Sequence, residues 1–368
     1  MTKTNYKPDY SRAQFFAYKT IQESKQSNLP ISVKKIIKAM PNLHLQSYTT
    51  FAKRRGLTIE QVSEYLDSEE GCLWMRSDKT YVILYNDTVK NKSRIRFTLA
   101  HELGHYVLQH NEIGNQTRLM RYSLSDREYD VFEKEANYFA KRLLAPIPLI
   151  DAIMSQTDSI DIYQLEEIFK ISFSVANYLL KELKQRNRIT NISREIHELV
   201  SNFKHELELL NVKKCNVCES EINSKYNHCP FCGMSDFLGV MDYGFKDYKK
   251  ERNQTMIYSG IETNSNGTPI ECPRCHAENL KDDYMFCPWC SVILHNFCLG
   301  TEENQYRQID AFGNTEKKTI SEQIQDGCGK LLDGSFRYCP DCGGETTYHR
   351  QKLLSDWLTE YEEDYLPF

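Results

Sequence analysis

His101 and His105 stand one helical turn apart within an apolar run, Thr98-Leu-Ala-His-Glu-Leu-Gly-His-Tyr-Val-Leu. On a helix both imidazoles leave the same face and can grip one zinc ion. Glu102 is rotated by about 100° from His101. From there it can take a proton from water at the metal without being a ligand. The chemistry this permits is hydrolysis of a carbonyl compound such as a peptide. The alternative is a helix with two satisfied histidines and no metal.

A catalytic zinc takes three protein ligands and keeps a fourth position open. His110 follows His105 by five residues, which departs from the metzincin spacing of six with an intervening Gly. It is expected at the helix C-terminus, where positive charge favours the dipole. The next helix offers Glu133-Lys-Glu135-Ala-Asn137. Glu133 and Asn137 are i, i+4, so one can ligate while the other orients a ligand from behind. Equally, Glu133 can be a solvated charge beside Lys134.

A second chemistry lies further along. Of the thirteen cysteines only Cys72 precedes residue 215, and it is read as a buried or idle thiol. Cys215, Cys218, Cys229 and Cys232 form two Cys-x-x-Cys knuckles, as do Cys272, Cys275, Cys287 and Cys290. Four thiolates so spaced suit a structural zinc ion. Gly233 follows one knuckle and permits its tight turn. The third set is split: Cys339 and Cys342 are clear, Cys328 precedes them, and Cys298 completes the set if the 29 residues between it and Cys328 loop out. His295 competes for that position. Cofactors are therefore one catalytic and three structural zinc ions. Disulfides would need an oxidising compartment, and a redox role would need a thioredoxin-like βαβ context; neither is indicated.

These groups need elements to hold them. Residues 10–24 place Ala13, Phe16, Ala17 and Ile21 at helical spacing, and a shorter helix carries Val33, Ile36, Ile37 and Met40. Leu57–Leu66 is read as a helix capped by Thr58, and Tyr81–Tyr85 as a strand. The His-bearing helix is expected over Arg94–His110. The next should start at a Ser125 cap and stop before Pro146. Two short helices with a tight turn follow over 160–186. A further helix aligns Ile192, Ile196, Leu199, Val200, Phe203, Leu207 and Leu210 in one stripe, to pack on its neighbours or dock the two halves.

The fold class expected is α+β: a mostly helical zincin-like domain with a small sheet, then three small zinc ribbons. The divisions are 1–150 for the peptidase-type domain, 151–190 for a helical subdomain, and 191–211 for a connecting helix. Ribbons are placed at 212–245, 271–294 and 295–345, with a linker at 246–270 and an acidic amphipathic helix at 346–368. No apolar stretch approaches the roughly 18–20 residues that span a bilayer, and the chain start lacks a signal-peptide pattern. A cytoplasmic location without membrane contact is expected.

Arg96-Phe-Thr-Leu-Ala-His-Glu-Leu-Gly-His, followed by Glu-x-x-Ala-Asn-x-Phe-Ala-x-x-Leu-Leu-x-Pro, resembles the ImmA/IrrE family of bacterial metallo-endopeptidases, common in prophages and integrative elements. Tyr10-Ser-Arg-Ala-Gln-Phe-Phe-Ala, the Leu29-Pro-Ile turn and Ser68-Glu-Glu-Gly also fit phage members, so the likeness extends over about residues 5–190. It implies His101, His105 and Glu133 as zinc ligands and Glu102 as general base, with Glu135 the alternate ligand. It also implies a substrate class: helix-turn-helix repressors of the Xre type, cleaved to derepress a mobile element or stress genes.

The net charge of −5 divides into about +5 for residues 1–200 and about −10 for 201–368. Zinc with four thiolates adds about −2 per ribbon, so the ribbons read as a docking or sensing module for protein unless the basic run Lys246–Arg252 dominates. Nucleic acid is not the favoured partner. Residues 163–183 have the apolar spacing of a helix-turn-helix, with Lys181 in its last turn and Lys184, Arg186 and Arg188 after it. That segment can meet DNA or a repressor, or be a helical subdomain of similar shape. From another class, the chain can be read as a non-catalytic zinc-ribbon regulator that binds a repressor or nucleic acid.

Overall fold

A computed structural model of the chain describes residues 7–114, 117, 126–157, 159–185, 194–301, 305–309, 315–319 and 325–365. The chain divides into two compact units, residues 1–210 with 240–247, and residues 211–239 with 248–368.

In the first unit, α1 (Tyr10–Glu23) starts where the Asp9 side chain accepts from Arg12 N. It buries Ala13, Ala17 and Ile21. Then come α2 (Val33–Ala39), β1 (Leu43–Ser47) and α3 (Tyr48–Arg55). α4 (Ile59–Leu66) opens with a reciprocal Thr58–Gln61 capping box, satisfying two otherwise orphaned amides. β2 (Gly71–Met75) and β3 (Tyr81–Tyr85) complete a three-stranded sheet of order β1-β3-β2, with β1 parallel and β2 antiparallel to β3. β2 is thus an edge strand.

α5 (Lys92–Val107) is capped by Asn91 and crosses beneath the sheet. It stops three residues short of the expected His110. Gln109 adopts a left-handed conformation, and His110 opens a separate short helix, α6 (His110–Ile113). α7 (Asp126–Leu144) packs on α5 and α1 and ends before Pro146. The Ser125 cap lies outside the described residues. α8 (Ile147–Thr157) follows.

The region from 160 forms α9 (Ile162–Phe169) and α10 (Phe173–Gln185), turning at a left-handed Lys170. Arg186 and Arg188 are outside the described residues. The apolar stripe is not one helix: α11 (Arg194–Asn202) and α12 (Lys204–Glu208) break at Phe203, whose φ and ψ are −103° and 13°. α11 packs on α1 and α8 within the first unit. Ile192 is not among the described residues.

The second unit is built from small Cys-bearing sheets. β4 (Val212–Cys215), β5 (Glu221–Asn223) and β6 (Phe237–Gly239) form one antiparallel sheet of order β5-β4-β6. α13 (Val240–Glu251), which belongs to the first unit as far as residue 247, bends at Gly244, where φ is +72°. The stretch expected to be a linker is ordered in pieces: its start lies in α13, and Thr263 bridges Pro269 while Asn264 and Asn266 both donate to Asp282.

The 29-residue excursion leaves along β7 (Cys298–Thr301), pairs β8 (Gln305–Ile309) with β9 (Thr315–Thr319), and returns along β10 (Gln325–Asp326). β11 (Glu345–Thr346) pairs on the other side of β7. Short α14 (Thr347–Arg350) and terminal α15 (Trp357–Tyr365) end the described chain. The terminal helix packs on the first ribbon, where Trp357, Leu358 and Tyr361 cluster with Cys215, Cys218 and Cys229, and it also meets the third through Tyr338 in that cluster and Glu360 against Arg337. No helix among the described residues is long and apolar enough to cross a membrane.

Candidate active site

The two site helices approach closely because their seam is made of small residues. Ala100 on α5 and Ala136 and Ala140 on α7 are fully buried. A Cβ added to Gly104 would lie 3.0 Å from the Phe139 ring and 3.3 Å from Ala136 Cα. Arg96 on α5 donates to the carbonyls of Ile31, Phe169 and Lys170, tying α5 to the end of α9. A cation is stabilising at such a helix C-terminus.

Across this seam the structure brings together His101, His105 and Glu133. His101 Nε2 and His105 Nε2 are 3.0 Å apart, and each is 3.4 Å from a Glu133 carboxylate oxygen. A tetrahedral zinc with ligand bonds near 2.05 Å places its donors about 3.3 Å apart. The three donors fit that requirement. Burial pushes His105 down to about 3, while Glu133, with His101 and His105 against it, is held below the usual carboxylate range despite its own burial. Neutral imidazole and ionised carboxylate are the ligating forms.

Behind the donors each imidazole is held by its other nitrogen. His101 Nδ1 lies 3.1 Å from Asn137 Oδ1. His105 Nδ1 lies 3.0 Å from His110 Nδ1, and His110 Nε2 lies 3.1 Å from Glu135 Oε2. With the His105 Nε2 lone pair turned to the ligand point, its Nδ1–H donates to His110, which donates onward to Glu135. Glu135 accepts in turn from Asp9 N at 2.7 Å and faces Arg12 Nη1 at 3.5 Å. Arg12 also donates to Leu108 O at the end of α5.

Glu135 therefore does not reach the point shared by His101, His105 and Glu133. On a helix, two residues from Glu133 means a rotation of about 200°. His110 also differs from its expected place. It is fully buried, stacked on Phe132 with ring centroids 4.5 Å apart. Burial lowers its pKa, so it is no surface cation answering a helix dipole. The expectation failed because Gln109 ends the helical path and folds His110 back under α5.

Glu102 lines a cavity of about 480 Å³ together with His101, His105 and Glu133. Burial pushes its carboxyl up to about 7; Glu133 adds to this, while His101 and the Leu73 backbone amide oppose it. A general base is most effective when its pKa lies near the working pH. One wall is β2, from Gly71 to Leu73. Gly71 is required there, since a Cβ would lie 2.8 Å from both Leu84 O and Thr98 Cγ2. Asp67, Glu69 and Glu70 form the rim. Glu70 is engaged by Arg94 and Thr98, leaving the rim negative. Cys72 joins the cluster of Tyr48, Phe51 and Val62.

The thiols gather into three groups: Cys215, Cys218, Cys229 and Cys232; Cys272, Cys275, Cys287 and Cys290; Cys298, Cys328, Cys339 and Cys342. Sulfur pairs lie 3.4–3.6 Å apart. A disulfide would need about 2.05 Å, whereas a tetrahedral zinc with bonds near 2.3 Å spaces its sulfurs about 3.8 Å apart. Cys298 completes the third group because β7 and β10 pair and bring it to Cys328. His295 is buried away from that group, with Nε2 3.4 Å from Thr268 Oγ1. The knuckle turn recurs beyond Gly233: Glu219, His276, Ser291, Gly329 and Gly343 also follow a cysteine with positive φ. The first and third ribbons meet knuckle to knuckle. Pro230 O accepts from Arg337 and Tyr338 N, and Pro340 O accepts from Asn227 and His228 N.

Residues 51–181 match the Peptidase_M78 family model, described as the IrrE N-terminal-like domain. No curated protein matches the chain. The match runs from within α3 into α10 and contains the whole donor set with Glu102, so residues 51–181 form an IrrE-type metallopeptidase domain, and the three cysteine groups follow it as a zinc-ribbon extension.

Proposed function

We propose that the chain is a zinc-dependent endopeptidase of the cytoplasm that cuts an Xre-type helix-turn-helix repressor and so derepresses mobile-element or stress genes. The observation that carries the reading is Glu102 in the cavity beside the converging donors of His101, His105 and Glu133. His101, His105 and Glu133 would hold the zinc. When bound there, zinc polarises a carbonyl and acidifies water. Glu102 takes the proton of the attacking water and returns it to the leaving amine. Asn137 and the His110–Glu135 pair fix the two imidazole rings.

β2 is an edge strand whose Met75 N already donates to Thr117 O, and the rest of its outer edge, beside the cavity, can pair with an extended peptide through main-chain hydrogen bonds. The exposed Asp67 and Glu69 at the rim favour a basic stretch of substrate. A DNA-binding repressor supplies such stretches. The three cysteine groups would hold three further zinc ions, which would order the ribbons for docking or sensing. Their thiolates suit a reducing compartment.

The test is incubation of the zinc-loaded protein with a helix-turn-helix repressor of the Xre type, followed by mass spectrometry of the products. A single internal cut that is lost with Glu102→Gln supports the reading. An uncut repressor under conditions where the zinc site is full contradicts the assigned substrate.

A further inference from the structure

The first unit contains a second concavity, and its charge is opposite to that of the candidate active site. The strand registers place His44 and Gln46 of β1, Val82 and Leu84 of β3, and Trp74 of β2 on one sheet face. α3 and α4 cover part of this face through Phe51, Val62 and Leu66. Two cavities of about 490 and 300 Å³ remain at its margin. They adjoin, because Gln46, Arg54, Arg76 and Val82 line both.

Lys34 and Lys38 of α2, Arg54 and Arg55 of α3, and Arg76 after β2 form the rim, and no carboxylate lines either cavity. All five are exposed. The stretch from Ser24 to Ile59 contains seven Lys or Arg and no Asp or Glu. Lys38 and Arg54 make no ion pair among the described residues. The nearest acid to Arg76 in sequence, Asp78, is occupied by the amide and hydroxyl of Thr80. Complementing the C-terminus of α3 accounts for Arg54 and Arg55. It does not account for Lys38 and Arg76 converging on them from two other elements, beside Lys34, which donates to Tyr85 Oη.

The floor of the smaller cavity is apolar and partly aromatic: Phe51, Trp74, Val82 and Leu84. A cationic rim over an aromatic floor is the combination that takes a nucleic-acid strand, with phosphates on the rim and a base against the rings. An acidic peptide would satisfy the rim but bring nothing flat to the floor. A duplex would keep its bases stacked inside and leave the floor empty. We infer that this groove binds single-stranded nucleic acid, with Arg54 and Arg76 on the phosphates and Trp74 beneath a base.

The experiment is fluorescence anisotropy of the full-length, zinc-loaded protein with a labelled oligothymidylate of about 20 nucleotides, over a range of salt. Arg54→Ala/Arg76→Ala should weaken binding by about tenfold or more. It should also flatten the slope of log K against log salt by about 1.4, since a single strand loses about 0.7 per phosphate contact. Lys181→Ala/Lys184→Ala on α10 serves as the control and should leave both unchanged. Unaltered thermal unfolding of each variant confirms that these exposed changes spare the fold. No binding by the wild type, or a loss confined to the α10 variant, would overturn the inference. So would tighter binding of the duplex, or displacement of the strand by polyglutamate of equal charge.

Discussion

His105 Nδ1 lies 3.0 Å from His110 Nδ1, so one ring of the donor set is oriented by a second imidazole rather than by a carboxylate. Glu135 then holds His110 from the far side, and α1 holds Glu135 through Asp9 and Arg12. His110→Phe should keep the stack on Phe132 but lose both hydrogen bonds. Zinc affinity, measured by competition with a chromophoric chelator, should fall by about 10- to 100-fold. Glu135→Gln should fall less, because the amide oxygen can still accept. Equal affinity in wild type and His110→Phe would show that the relay does not orient His105.

The close seam between α5 and α7 makes a second prediction. Gly104→Val would press a branched side chain into the Phe139 ring and the Ala136 backbone. Overpacking of this kind costs about 1–3 kcal/mol, and here it also moves Glu133 away from the histidines. Thermal unfolding and zinc affinity should therefore both fall. A variant that loses stability while binding zinc as tightly as wild type would show that the seam does not set the donor spacing.

In the second unit the cysteine groups assign each zinc to named ligands. Cys298→Ser or Cys328→Ser should lower the zinc content by one ion per chain, by elemental analysis. His295→Ala should not, since that ring sits by Thr268. Strong chelation should remove hydrogen-exchange protection across residues 212–345, because metal binding and folding are one equilibrium in such modules. Persistent protection after zinc removal would contradict the ribbon assignment.

Arg337 is fully buried and donates to the carbonyls of Ser259, Ser335 and Ser355, as well as pairing with Glu360 of α15. It joins the third ribbon to the terminal helix. Arg337→Ala leaves three carbonyls without this donor and the Glu360 carboxylate without its cation. Breaking a buried pair from one side costs about 3 kcal/mol or more. Urea unfolding of the zinc-saturated chain, followed at the ribbons, should shift to lower denaturant by a corresponding amount. No shift would mean that water replaces the guanidinium.

The parts of the fold legible in the sequence are those with a local signal. Thr58 and Gln61 form the cap that their spacing announces, and Pro146 ends α7 at the expected place. β1 and α3 went unread because Leu43-His-Leu-Gln-Ser is only five residues long and runs directly into a polar helix capped by Ser47. β2 was hidden because its glycine and its single buried Leu73 carry little strand pattern. At the site, the His-Glu-x-x-His spacing points to its own geometry. The role of His110 was not legible, because it depends on one left-handed residue, Gln109, and on α1, nearly a hundred residues earlier in the chain. Similarly, a sulfur count alone could not send α15 to both the first and the third ribbon. That placement rests on the Trp357 cluster and on Arg337.

The central claim is that Glu102 acts as the general base of a peptidase, and it is tested most directly in cells. Wild type and Glu102→Gln are expressed beside the chain's native neighbouring genes, and new protein N-termini are compared across the proteome. Removing a general base costs about 10²–10⁴-fold in rate. The account predicts a new N-terminus within a helix-turn-helix repressor that is present with the wild type and absent with Glu102→Gln. Identical N-termini in both strains, with zinc bound at His101, His105 and Glu133 in each, would contradict it.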